Sequence, residues 1–77
     1  IKTNYKDMLS KYMQHTLQGM PRFFEISVDI KHNKKVFTYC VKNKLNVILG
    51  TSTGDSKREA ENNSAREALL YYSQPLE

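Results

Sequence analysis

The stretch Leu49-Gly50-Thr51-Ser52-Thr53-Gly54-Asp55-Ser56-Lys57-Arg58-Glu59-Ala60-Glu61, continued by Ser64-Ala65 and Ala68-Leu69, decides the fold. Gly50 and Gly54 permit a tight loop and a close approach of backbone to an anion such as phosphate. Ser56-Lys57-Arg58-Glu59 is a capping box: the Ser56 hydroxyl can accept from the Glu59 backbone N–H while the Glu59 carboxylate reaches back to the Ser56 N–H. A helix therefore starts near Ser56. Ala60, Ser64, Ala65, Ala68, Leu69 and Tyr72 recur at helical spacing after it, predicting a helix over about 56–72 whose small residues sit close to whatever they cover.

What they cover lies upstream. Phe24, Ile26, Val28 and Ile30 alternate with Phe23, Glu25, Ser27, Asp29 and Lys31, the pattern of a half-buried strand over about 22–31 with its polar face in water. Val36 to Val41 is rich in β-branched and aromatic residues and predicts a second strand over 36–41. After a short turn at Lys42-Asn43-Lys44, a third strand is expected over 45–51, with Leu45, Val47 and Leu49 sharing the inner face with Phe37, Tyr39 and Val41. Before the strands, Tyr5, Met8, Leu9, Tyr12, Met13 and Thr16 form one stripe of a helix over about 4–17, which Gly19 and Pro21 stop. The expected fold is thus α+β, an α-β-β-β-α sandwich in which two helices pack on one face of a three-stranded antiparallel sheet.

A chain of 77 residues holds one domain, here taken as 1–77, with a single thin core. Five tyrosines and three phenylalanines supply much of the burial, because a lone Cys40 allows no internal disulfide. One cysteine fits a reducing, intracellular setting and reads as small buried filler. No stretch approaches the ~20 apolar residues of a membrane span, and Ile1-Lys2-Thr3-Asn4 lacks the apolar region of a signal peptide. Because the chain begins at Ile1 rather than Met, it reads as a piece of a longer protein, and Ser73 to Glu77, with Pro75, as a frayed tail. The net charge of +4 and the pI near 9.3 favour a polyanionic partner.

Charge placement sharpens that reading. A helix N-terminus carries about half a positive charge, so cations in its first turn cost a few tenths of a kcal/mol each. Lys57 and Arg58 stand there nonetheless, a placement that makes sense if an outside anion docks on the free N–H groups. No Gly-Lys-Ser/Thr ending or parallel βαβ frame is present, which argues against nucleotide hydrolysis. His15, His32 and Cys40 lack the paired spacing of zinc sites, so neither metal nor cofactor is expected. The carboxylates form no pair suited to acid–base work, and no catalytic residue is assigned.

Together the spacing, cap, basic pair and alanine face resemble the end of a double-stranded RNA-binding domain, whose usual form is G-x-G-x-S-K-K-x-A-x-x-x-A-A-x-x-A-L. Met8-Leu9, Phe24-Glu25 and Phe37-Thr38 extend the resemblance over nearly the whole chain. The resemblance implies a three-part grip on A-form RNA, spanning about 16 base pairs. Lys57 and Arg58, with the Ser56 backbone, would bridge phosphates across the major groove, and Glu61 occupies a position that is basic in many relatives. Asp7, Ser10, Lys11 and Gln14 would line one minor groove, where relatives more often carry Thr or Ser, Gln and Glu in place of the first three. The loop between the first two strands lacks the usual Gly-Pro and is about one residue shorter, leaving His32, Asn33 and Lys34 as the probe of the next minor groove.

The implied function is binding of double-stranded RNA by shape and backbone, with little regard to sequence, as the RNA-binding module of a larger RNA-processing protein. Leu49-Gly50-Thr51 and Ser56 to Glu61 are similar to the tail domains of ribonuclease III and Dicer-like enzymes. An alternative is a protein-interaction or dimerisation module of the same fold with weakened RNA binding, docking through the free sheet face or the second helix. The altered Asp7, Ser10, Lys11 and Glu61 fit that alternative as well.

Overall fold

Ser56 is extended, and its hydroxyl accepts from the Glu59 N–H at 3.1 Å, so the final helix begins at the next residue. The computed structural model describes residues 3–74, in the order α1 (Tyr5–His15), β1 (Arg22–Lys31), β2 (Lys34–Lys42), β3 (Ile48–Gly54) and α2 (Lys57–Tyr71). The three strands form one antiparallel sheet in the order β1-β2-β3. This is the α-β-β-β-α fold that the periodicities predict. Of the expected tail, residues 75–77 lie outside the described residues.

The alanine stripe of α2 lies on β2 and β3, and α1 packs chiefly against α2. Leu9 and Met13 of α1, Val41 and Leu49 of the sheet, and Ala65, Ala68 and Leu69 of α2 make one buried cluster, bordered by Tyr5, Met8, Tyr12, Phe23 and Tyr72. Burying one side chain such as Leu9 or Leu69 contributes about 1.5–3 kcal/mol. Ser64 is also fully buried, and its hydroxyl donates to the Ala60 carbonyl or the Tyr39 carbonyl, both within 2.9 Å, so no polar atom is stranded there. Tyr12 and Tyr72 pack with ring centroids 4.9 Å apart and planes tilted by 45°, joining the C-terminal ends of the two helices.

β1 departs from the expected facing. A bulge between Glu25 and Ser27 breaks its alternation, and Phe24, Ile26 and Ile30 are 40%, 53% and 73% exposed rather than half-buried. Phe23, expected on the outer face, packs on the core opposite Val41. Glu25 faces Tyr39, whose hydroxyl donates to the Glu25 carboxylate at 3.2 Å. Burial first, then that carboxylate, raises the Tyr39 phenol above the usual tyrosine range. Phe24 lies across from Cys40 on the far face, flanked by Arg22 and Lys42 at 5.7 and 5.0 Å from its ring.

β3 starts later than expected, at Ile48 rather than residue 45. The Asn43 side chain accepts from the N–H groups of both Leu45 and Val47 at 2.9 and 3.0 Å, and Asn46 is left-handed with φ 64°, so this segment is a turn. Leu45 and Val47 are exposed, and only Leu49 of the expected trio reaches the core.

Candidate nucleic-acid interface

Gly50 and Gly54 fix where the basic end of α2 stands. A methyl group on Gly54 would lie 2.5 Å from the Ala60 nitrogen, and one on Gly50 would lie 2.6 Å from the Ser64 carbonyl oxygen. Both glycines therefore admit the helix backbone itself, a use different from the close approach to phosphate expected from the sequence. With α2 pressed against β3, Ser56, Lys57 and Arg58 are exposed at its tip. The Glu59 and Ala60 N–H groups are taken by the Ser56 hydroxyl and carbonyl. Those of Lys57 and Arg58 form no hydrogen bond among the described residues and stay open to an anion.

The N-terminus of α1 is the opposite case. Asn4 caps the Asp7 N–H at 3.0 Å and its carbonyl takes the Met8 N–H at 3.2 Å. Asn62 of α2 takes the remaining donors, accepting from Tyr5 and Lys6 at 2.8 and 3.2 Å. This end offers no open donor to a phosphate, and the polar side chains of α1 lie on its flank. Asp7, Lys11 and Gln14 are exposed there and Ser10 is half-buried. Asp7 and Lys11 pair at 3.0 Å one turn apart, an exposed contact worth about 0.3–0.5 kcal/mol that a phosphate can displace. The Gln14 amide donates to the Met20 sulfur at 2.9 Å.

One open groove joins these parts: Asp7 and Ser10 line it from α1, and Ser56 and Arg58 from the tip of α2. Lys11, Gln14, Lys57, His32, Asn33 and Lys34 do not line it. The last three form the far end of the β1–β2 hairpin. Lys31 pairs with Lys34, and His32 and Asn33 are left-handed at φ 51° and 64°, which makes a two-residue turn of the primed type. The expected probe is thus an exposed two-residue turn flanked by lysines.

Two contacts at this site were not read from the sequence. Asn62 clamps the two helices, and Glu61 pairs with Lys6 at 2.7 Å, so the acidic residue at the family's basic position turns toward α1. An asparagine in a helix interior, where propensity disfavours it, was the available signal for the first. Among the described residues no group of three or more His, Cys, Asp or Glu is placed to hold a metal ion, and no helix is long and apolar enough to cross a membrane.

A cationic helix tip with open donors, beside a second helix's polar flank on an α-β-β-β-α frame, defines a module that holds a nucleic-acid backbone. The family model described as "Double-stranded RNA binding motif" matches residues 5–72, and the chain belongs to that family. It is a binding domain for double-stranded RNA. The chain is also similar to a "Probable ribonuclease 3" of Acanthamoeba polyphaga mimivirus, 32% identical over 68 residues that make up 86% of this chain. It spans only 13% of that relative's length.

Proposed function

We propose that the domain grips duplex RNA through three zones. Lys57, Arg58 and the open N–H groups at the α2 tip hold phosphates across the major groove. The α1 flank of Asp7, Ser10, Lys11 and Gln14 enters one minor groove, and the His32-Asn33-Lys34 tip enters the next. The observation that carries this reading is the shared groove that sets Asp7 and Ser10 beside Ser56 and Arg58. Similarity to a probable ribonuclease 3 supports a place for the module in a larger RNA-processing protein of ribonuclease III type, and the lone Cys40 favours an intracellular one.

The test is a titration with duplex RNA, duplex DNA of the same sequence and single-stranded RNA at several salt concentrations. Selective retention of duplex RNA is expected. The double variant Lys57→Ala/Arg58→Ala keeps its fold, because both side chains are exposed, and its log K against log salt slope falls by about 2. Unchanged affinity and slope in that variant refute the phosphate assignment.

A second reading, docking of a protein partner or second copy on the free sheet face, is favoured by the exposed Phe24, Ile26 and Ile48. It predicts concentration-dependent association in sedimentation equilibrium that Phe24→Ser abolishes. A strictly monomeric chain at high concentration removes the second copy as the occupant.

A further inference from the structure

The two helices that carry the interface are joined near their N-terminal ends by directional polar contacts. The Asn62 carbonyl oxygen accepts from the Tyr5 and Lys6 N–H groups at 2.8 and 3.2 Å, while its amide nitrogen donates to the Thr3 carbonyl at 3.0 Å. Only one orientation of the amide suits two donors and an acceptor together. Lys6 adds a 2.7 Å ion pair to Glu61 and lies 5.3 Å from the Phe23 ring centroid. Further along α1, the hold on α2 passes through Leu9, Met13 and the Tyr12–Tyr72 ring pair, apolar contacts that resist separation more than sliding. Just past the helix the Tyr72 hydroxyl donates to the Gln18 side-chain carbonyl at 2.5 Å, which anchors that far end.

We propose that Asn62 is a positioning residue for duplex recognition: by pinning the first turn of α1 to α2, it fixes the offset between the α1 flank and the cationic tip. The proposal rests on the three-zone reading above. Asn62 lines the same groove as Asp7, Ser10 and Arg58, so a pivot of α1 about its apolar end moves Asp7 and Ser10 relative to Arg58 directly. Contacts to 2′-hydroxyls depend on that offset and phosphate contacts at the tip do not. Asn62 therefore acts on discrimination between RNA and DNA duplexes rather than on general polyanion binding.

The experiment compares the unmutated chain, Asn62→Ala, Asn62→Asp and Lys57→Ala/Arg58→Ala on matched RNA and DNA duplexes, with circular dichroism and melting curves confirming the fold. For Asn62→Ala, RNA affinity is expected to fall about threefold to tenfold, the scale of one or two misaligned hydrogen bonds, with DNA affinity unchanged. Asn62→Asp keeps the acceptor toward Tyr5 and Lys6 and brings the RNA-to-DNA ratio back toward that of the unmutated chain; taking the ratio cancels its added charge, which acts on both polyanions. An unchanged ratio in Asn62→Ala, or an equal loss for both duplexes, overturns the proposal. If only Lys57→Ala/Arg58→Ala loses binding, the interface reading stands and this one fails; an unmutated chain without affinity for duplex RNA removes both. Hydrogen exchange at Tyr5 and Lys6 in the unmutated chain needs no variant: protection is expected, and free exchange overturns the proposal.

Discussion

Gly54→Ala converts a packing detail into a measurable loss of both stability and binding. The new methyl group would stand 2.5 Å from the Ala60 nitrogen and 2.9 Å from the Glu59 carbonyl carbon. Ordinary contact needs about 3.5 Å, so the first turn of α2 must retreat by about 1 Å. Backbone opposes backbone here, with no flexible side chain to yield, which puts the cost near the upper end of the overpacking range, about 3 kcal/mol. Alanine also restricts the unfolded chain and returns about 0.4–1 kcal/mol, leaving a net loss of about 2 kcal/mol. For a domain of this size that lowers the Tm by about 8–16 °C. Because the same turn carries Lys57 and Arg58, duplex RNA affinity measured well below the new Tm falls too. Gly19→Ala is the control, since it meets only the Lys44 side chain at 3.5 Å and suffers from its φ of +82° alone, about 1–2 kcal/mol with no effect on the tip. A Gly54→Ala melting curve within about 2 °C of the unmutated chain would refute this account of how the glycine works.

Other substitutions probe the remaining parts. Leu69→Ala removes a fully buried side chain and lowers unfolding free energy by about 2–5 kcal/mol in urea titrations; a loss under about 1 kcal/mol contradicts the core assignment. His32→Asn with Asn33→Gly places the preferred pair in the two-residue turn and raises the urea midpoint, by about 1 kcal/mol in stability, whereas a lower midpoint means the turn is of another type. Tyr39 has its folded-state pKa raised, so the folded chain holds this proton more tightly than the unfolded one. Stability is therefore complete below about pH 10 and declines as pH rises from there toward the folded pKa. Tyr39→Phe reduces that alkaline decline, and Tyr72, shifted the same way, sustains the remainder; parallel declines in the variant and unmutated chains would disprove the Tyr39 contribution.

Much of the fold is legible because hydrophobic period and caps agree along the two helices. Ser56 and the Ala60 to Leu69 stripe placed α2, and Leu9 and Met13 placed the buried side of α1. The failures fall where one local chemistry overrides a period. Leu45, Val47 and Leu49 alternate like a strand, but Asn43 holds the N–H groups of the first two, and a side-chain hydrogen bond decides the backbone before the apolar pattern can. In β1 the bulge after Glu25 exchanges the faces, which no alternation rule foresees. Lys57 and Arg58 were legible as exposed cations at the α2 tip because they contradict the helix dipole. Asn62 was not, because its partners are backbone groups of Thr3, Tyr5 and Lys6, and backbone carries no signature in a sequence.

The Asn62 amide completes a helix whose own first residue stands 57 positions earlier in the chain. A contact so distant in sequence closes a loop containing every strand, and its entropy cost is smallest once the hairpins between have already drawn the ends together. We expect α1 to dock after the sheet and α2 have assembled, so that Asn62→Ala speeds unfolding while leaving the refolding rate nearly unaltered. In stopped-flow measurements a slowed refolding limb would reverse that order. On the expected order, a refolding molecule acquires its α2 tip first and its competence for a duplex only when α1 closes.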